Sequence, residues 1–478
     1  MRSRSFVSLL LVKLLLILPA HTPVYANDLP KPVYTAMQEA LQQPYIELFD
    51  TAATLEFRRS QIEAMRKLLT RAQTGCKREF ETRASNHEKE VRQAQAELRK
   101  VTATLSNEDR REYHCRIHNA RILHGQARVL SEHAIPVAYE NRLAKLDLIE
   151  KWPAEQVQIR DEMEAGRHHD RKFGDVMDIG VRELFEGQEK DVKTGEEVVR
   201  QMTTLGLLPA EVENPRIRDY VESLTLRIAR HSDLRVPARV TVLNSREINA
   251  FALPGGYLYI QRGLLEAVDD ESQLAGVIAH EIAHVTGRHS HRLMRRATIA
   301  SIIYQAAQVA AMILTGGVAG IGTYYALQYG FYGLGLILSL DMLGVSRDFE
   351  LEADQLGVQY AWNAGFDPNG FIRFFDKMAT RVGYVNGASW FRTHPPFYER
   401  MVHSKREITF LPPKEEAQLH SSEFNLMKAE LAKVTAAAEK EEKSRPKGPG
   451  ADCPAPDRIE YKPGEPIEKI CGEPGDRR

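Results

Sequence analysis

The sequence has no surplus of charge of either sign: 64 Lys and Arg face 65 Asp and Glu, a formal net charge of −1 over 478 residues. That balance argues against nucleic acid as the main partner, because phosphate binding relies on a basic excess. Cysteine is scarce, with four in the whole chain, and no two have the CxxC spacing of a redox or zinc motif. None lies near Ala26, where an apolar leader would be cut, which argues against a lipoprotein. The hydrophobic share of 43% and charged share of 27% are those of an ordinary soluble protein, so composition bounds the class and leaves the chemistry open. The length suggests two or three domains with ample capacity for a core.

The first residues carry an address. Arg2 and Arg4 precede an apolar run from Phe6 to about Pro19, followed by Val24-Tyr25-Ala26. This is a charged segment, a hydrophobic segment and a small-x-Ala cleavage site, predicting a signal peptide over residues 1–26. Lys13 interrupts the run, and a charge at mid-bilayer is costly, which favours cleavage over an uncleaved anchor. Cys76, Cys115, Cys453 and Cys471 are even in number, as suits an oxidising compartment such as the periplasm or the exterior. Three pairings are open; locality favours Cys76–Cys115 and Cys453–Cys471.

Residues 27–174 are rich in Glu, Lys, Arg, Gln, Ala and Leu and poor in glycine. Ile62–Ala72 and Glu88–Leu105 carry charges spaced for i,i+4 pairing, and Ser106 followed by Asp109 restarts a helix. A helical hairpin or short coiled coil is expected, more a spacer than a docking arm, since no chemical motif falls in it. Residues 175–410 have the texture of a compact domain. Val181–Glu186 and Pro215–His231 suggest amphipathic helices; Ala238–Leu243, Ala250–Leu253 and Tyr257–Gln261 suggest strands, the last two split by a Pro254-Gly255-Gly256 turn. From Glu271 the pattern is helical, with Asp269 or Asp270 placed to cap it. Residues 411–478 promise one helix, Ser421 to about Glu441, then a disordered tail with a small disulfide loop. The fold class is mainly α with a small β-sheet.

The strongest signal is Val277-Ile278-Ala279-His280-Glu281-Ile282-Ala283-His284-Val285. Two histidines four apart project from one helix face, so both imidazoles can reach one zinc. Glu281 is displaced around the helix, where its carboxylate can deprotonate a zinc-activated water without being a ligand. An HExxH string can arise by chance on a charged helix. Here Leu274, Val277, Ile278, Ile282 and Val285 surround it, and a buried helix does not carry such polar groups without partners.

A catalytic zinc needs a third protein ligand and an open position. The metzincin pattern HExxHxxGxxH finds Gly287 in place, but its last histidine position is Ser290, with His289 and His291 on either side. That register fails. A later helix offers Ser346-Arg347-Asp348-Phe349-Glu350-Leu351-Glu352-Ala353-Asp354. Glu350 and Asp354 share a face, so Glu350 can bind the metal while Asp354 accepts the N–H of a ligand histidine. Glu352 points elsewhere on an ideal helix and reads as a solvated charge.

These segments resemble the BepA/HtpX/Ste-type gluzincin zinc metalloproteases, which include the CaaX prenyl protease and mitochondrial Oma-type peptidases. The likeness rests on Asn249-Ala250-Phe251, Pro254-Gly255-Gly256, Gly263-Leu264-Leu265, HEIAH, SRxxExEAD, and Thr393-His394-Pro395 with Glu399-Arg400, in that order over about Arg216 to His403. It implies a zincin-like peptidase domain holding one zinc on His280, His284 and Glu350. It also implies that Asn249, Ala250 and Phe251 lie on an edge strand that pairs with extended substrate. His394 resembles the family's histidine near the zinc, stabilising the oxyanion or occluding the fourth position; Arg400 is a weaker candidate for the same region, and His289 reads as structural.

Residues 297–340 carry no charged side chain and divide near Ile299–Leu314 and Tyr324–Leu338. Packing over the active site or peripheral membrane contact is expected ahead of a transmembrane pair. The function expected is zinc-dependent endoproteolysis of envelope or secreted proteins, unfolded or misassembled ones as a quality-control task. The alternative is a latent, chaperone-like factor that binds extended polypeptides.

Overall fold

The computed structural model describes residues 29–101, 106–182, 186–204, 206, 208–294, 347–379, 394, 398–414, 416–444, 453, 454, 456 and 467–472. The expected export signal and the apolar stretch 297–340 lie outside the described residues. Among those described, no helix is long and apolar enough to cross a membrane.

Two short helices, α1 (Lys31–Gln42) and α2 (Tyr45–Thr51), lead into α3 (Arg59–Val101) and α4 (Asn107–Val129). Ile62–Ala72 and the described part of Glu88–Leu105 belong to the single long α3. Glu79–Arg83 and Glu88–Arg92 pair one turn apart along it, with glutamate on the N-terminal side as the helix dipole favours. Ser106 caps α4 by accepting from the Asp109 N–H at 3.1 Å. Arg116 reaches Glu97 at 3.0 Å while His124 meets the Ala84 carbonyl at 2.9 Å, which makes α3 and α4 an antiparallel hairpin.

Helix α5 (Ile135–Glu164) returns to the body of the protein. Its Lys145 is wholly buried, 3.2 Å from Asp376 and 2.6 Å from the Gln43 carbonyl, so its charge is matched inside the core. Trp152 donates to the Phe49 carbonyl at 3.0 Å. One apolar cluster runs from Leu29 through these helices and on through the sheet and helices beyond residue 210.

After α6 (Gln188–Thr204) and α7 (Pro215–Arg230) come three short strands. They are β1 (Arg239–Leu243), β2 (Ala250–Leu253) and β3 (Tyr257–Gln261), close to the sequence expectation. The order is β1-β3-β2, with β1 parallel and β2 antiparallel to β3. Alternation sorts their faces: Val242, Leu258, Ile260 and Ala250 enter the main core, while Tyr259, Leu253 and Phe251 meet Val198, Val199 and Met202 of α6. The turn between β2 and β3 needs its glycines, since Gly255 and Gly256 hold φ of +80° and +88°. The helix expected over Val181–Glu186 is not seen at its described ends, where Val181 is in a turn and Glu186 in a bend. Arg182 is instead drawn inward by Asp233 and Gln359.

Helices α8 (Arg262–Ala267), α9 (Glu271–Thr286), α10 (His289–Met294), α11 (Arg347–Asn363), α12 (Asn369–Lys377) and α13 (Tyr398–Phe410) complete the body. Helix α14 (Ser422–Ser444) follows, and α15 (Glu468–Cys471) ends the described chain.

The disulfides correct the local pairing. Cys76 bonds Cys471 and Cys115 bonds Cys453, across 395 and 338 residues of sequence. The tail is therefore stapled at two places to the α3–α4 hairpin rather than closed on itself. Arg142 adds an ion pair to Glu468 at 2.7 Å.

Candidate metal centre

Helix α9 is capped by Asp270, whose side chain accepts from the Gln273 N–H at 2.9 Å. It is buried on nearly all sides, so His280, Glu281 and, more openly, His284 face the interior. Helix α11 crosses it at the level of His280. Gly357 permits the approach: a Cβ there would lie 3.0 Å from the His280 backbone N and Cα. Gly276 does the same against Phe371 of α12, and the Phe371 ring stacks on His280 with centroids 5.2 Å apart.

Four donors converge. His280, His284, Glu350 and His394 each offer a ligand atom, and these atoms all lie within 4.8 Å of one another. The Nε2 atoms of His280 and His284 are 3.0 Å apart. Glu350 Oε1 is 3.6 Å from His284 Nε2, and Glu350 Oε2 is 3.7 Å from His280 Nε2. Ligands about 2.0–2.1 Å from a tetrahedral zinc sit roughly 3.3 Å from each other, so the spacing suits that ion. Glu350 Oε1 is buried without a hydrogen-bond partner, a costly state that a bound cation would relieve.

Charge on the donors fits the same role. Burial, then the neighbouring His280, hold His284 well below the ordinary histidine pKa, leaving it neutral as a metal ligand must be. Burial would raise Glu350, but His394 and Arg400 overcome it and keep the carboxylate ionised, well below its usual range. For His394 burial acts downward and the carboxylates of Glu350 and Glu281 act upward, leaving it raised to about 9. It lies 3.0 Å from Glu350 through Nδ1 and 3.3 Å from Glu281 through Nε2.

Behind the donors stand supporting pairs. Asp354 Oδ1 is 3.0 Å from His280 Nδ1 and is itself gripped by Arg400. Arg400 also touches Glu350 Oε2 at 3.0 Å, so its guanidinium is committed to two carboxylates. Glu352 departs from expectation: it is 1% exposed, 2.9 Å from Arg292 and 3.4 Å from His289 Nε2. It is a buried partner rather than a solvated charge, because α10 folds back beside α11. His289, expected to be structural, has its Nδ1 2.6 Å from His284 Nδ1.

Asn249 and the first residues of β2, Ala250 and Phe251, lie on an edge of the sheet, with Phe251 stacked on Tyr259 at 4.9 Å. Thr393 and Pro395, which flank His394, lie outside the described residues. Sequence reasoning missed Gly357 and the Glu352–His289 contact. The only trace of the first was an isolated glycine inside a helical pattern, a position that usually has a packing reason.

Residues 214–408 match Peptidase family M48. The Escherichia coli (strain K12) beta-barrel assembly-enhancing protease is 30% identical over 251 residues, 51% of this chain and 48% of that protein. The putative beta-barrel assembly-enhancing protease of Vibrio cholerae is 32% identical over 206 residues, 42% of this chain and 41% of its own. The Schizosaccharomyces pombe mitochondrial metalloendopeptidase OMA1 is 32% identical over 155 residues, 32% of this chain and 41% of its own. The matched part of the chain thus spans less than half the length of these relatives. With the HExxH helix, the Glu350 helix and the small sheet all inside the matched segment, the chain carries a domain of peptidase family M48.

Proposed function

We propose that the chain is a zinc-dependent endopeptidase, with zinc held by His280, His284 and Glu350 and with Glu281 as general base. The convergence of the two Nε2 atoms on Glu350, with the Glu281 carboxylate alongside, is the observation that carries this reading. Zinc, when bound, supplies a Lewis acid that brings the pKa of a coordinated water to about 7. Glu281, whose Oε1 lies 3.3 Å from His394 Nε2, would accept a proton from the attacking water and pass it to the leaving amine. Asp354, 3.0 Å from His280 Nδ1, would take that N–H and leave Nε2 for the metal. Asn249, Ala250 and Phe251 align an extended substrate by main-chain hydrogen bonds along the edge strand β2, a mode tolerant of sequence.

Such tolerance suits unfolded or misassembled polypeptides, and the names of the bacterial relatives point to proteins that assemble as β-barrels. Two disulfides support an exported, oxidising location. The decisive comparison is the full-length protein beside Glu281→Gln. Both should hold about one zinc per chain, and only the wild type should cleave casein. Normal cleavage by the variant would remove Glu281 from the mechanism.

A second reading, a latent and chaperone-like factor, draws on His394. Its Nδ1 is 3.2 Å from His280 Nε2, close enough to serve as a fourth donor and close the site. Under latency His394→Ala raises casein cleavage; as an oxyanion donor its loss lowers cleavage. A zinc-loaded wild type that binds casein without cutting it would favour the second reading.

A further inference from the structure

We propose that His289 and Glu352 are positioning residues for the metal, forming a relay that fixes the tautomer and ring angle of His284 as Asp354 does for His280. This rests on the reading of His284 as a ligand. A histidine that gives Nε2 to a metal carries its proton on Nδ1, and that N–H needs an acceptor. For His280 the atom that faces Nδ1 is Asp354 Oδ1 at 3.0 Å. For His284 the atom that meets Nδ1 is His289 Nδ1 at 2.6 Å.

The protons then have one consistent arrangement. His284 Nδ1–H donates to His289 Nδ1; the His289 proton therefore sits on Nε2, which faces Glu352 Oε2 at 3.4 Å. Arg292 Nη1 donates to the same carboxylate oxygen at 2.9 Å. Both relays end on an arginine: Asp354 on Arg400, Glu352 on Arg292. His289 and Glu352 are 2% and 1% exposed, so neither finds its partner in water.

The local backbone is shaped around this placement. Arg288 takes a φ of +51°, an unfavourable left-handed conformation for a residue with a Cβ, and the chain turns back beneath the end of α9. Asp191 of α6 holds Arg288 there with contacts of 2.6 and 2.7 Å. Gly287 leaves the room: a Cβ at that position would lie 2.5 Å from His289 Nε2. The His289 ring is held flat against Phe349, with centroids 4.6 Å apart and planes 7° from parallel. Stacked on Phe349, the ring holds one plane, with its Nδ1 toward His284.

The test is zinc affinity of the full-length protein by competition with a chromophoric chelator, with the d–d spectrum of the cobalt-substituted protein as a second readout. His289→Phe keeps the stacked ring and removes the acceptor. It should weaken zinc binding about 10- to 100-fold, the usual loss when an outer partner of a ligand histidine goes, and should alter the cobalt spectrum. His289→Asn retains an oxygen near the position of Nδ1 and should recover most of the affinity. Glu352→Gln should show a smaller loss, and the double variant with His289→Phe should bind no worse than His289→Phe alone. Equal zinc affinity for wild type, folded His289→Phe and Glu352→Gln would overturn the relay while leaving the metal site intact. A wild type that binds no zinc would overturn the site itself, and the relay with it.

Discussion

Arg400 and Asp354 form a bidentate pair, Nε and Nη2 each 2.6 Å from a carboxylate oxygen, with neither side chain reaching solvent. The third guanidinium nitrogen lies 3.0 Å from Glu350. One cation thus neutralises two buried carboxylates on α11 and fixes the angle at which α13 packs on it. Removing it strands both charges. Arg400→Ala should cost about 3–5 kcal/mol, the range for breaking a buried pair from one side. Arg400→Lys should recover little, because an ammonium cannot reproduce the planar fork. Denaturant unfolding measures both; a loss under 1 kcal/mol for the alanine variant would mean the pair is not carrying buried charge.

Gly357 sets the distance between the two ligand helices. An alanine Cβ would press on the His280 backbone at 3.0 Å, and backbone cannot swing aside as a side chain can. The expected cost of overpacking, about 1–3 kcal/mol, is partly offset by the roughly 1 kcal/mol that alanine gains over glycine inside a helix. Gly357→Ala should therefore lose zinc affinity and peptidase activity while its unfolding midpoint moves little. Gly357→Val, larger and with less of the propensity gain, should lose stability as well. Unchanged zinc affinity in both variants would show that the helix spacing is not set here.

The disulfides make a prediction about mass and one about energy. Non-reducing peptide maps should join the peptide containing Cys76 to that containing Cys471, and Cys115 to Cys453. A peptide joining Cys76 to Cys115 would contradict the fold of the tail. Cys76→Ser with Cys471→Ser should lower stability by about 2–5 kcal/mol.

Much of the site was legible because it is local. HExxH, the cap at Asp270, the three strands and the one-turn spacing of Glu350 and Asp354 are all patterns within ten or so residues. What escaped depends on how distant segments meet. Glu352 faces away from the metal on an ideal helix, and only the return of the chain at Arg288 brings His289 to it. Gly357 has meaning only where two helices cross. The disulfide pairing follows from where Cys453 and Cys471 meet α4 and α3, which proximity in sequence does not report.

Glu407, away from the metal site, should give the fold a measurable pH response. It is buried on α13, accepting from Gln359 Nε2 at 2.8 Å and lying 3.1 Å from Arg171 Nε. Burial pushes its carboxyl up, Arg171 and Gln359 pull it back in part, and nearby Asp175 adds to the rise while Arg182 opposes it; the result is about 7. Its unfolded value is near 4.5, so between these limits the folded state binds the extra proton. Stability then falls as pH rises through that window and levels off above it. Glu407→Gln removes this contribution and keeps an oxygen for Gln359. The difference in unfolding free energy, variant minus wild type, should rise between pH 4.5 and 8 by on the order of 3 kcal/mol at most. Taking the difference cancels the groups common to both proteins, so the slope belongs to residue 407. A difference that stays flat across the window, measured by urea unfolding at matched zinc concentration, would mean that Glu407 is ionised in the folded protein throughout and that Arg171 outweighs its burial.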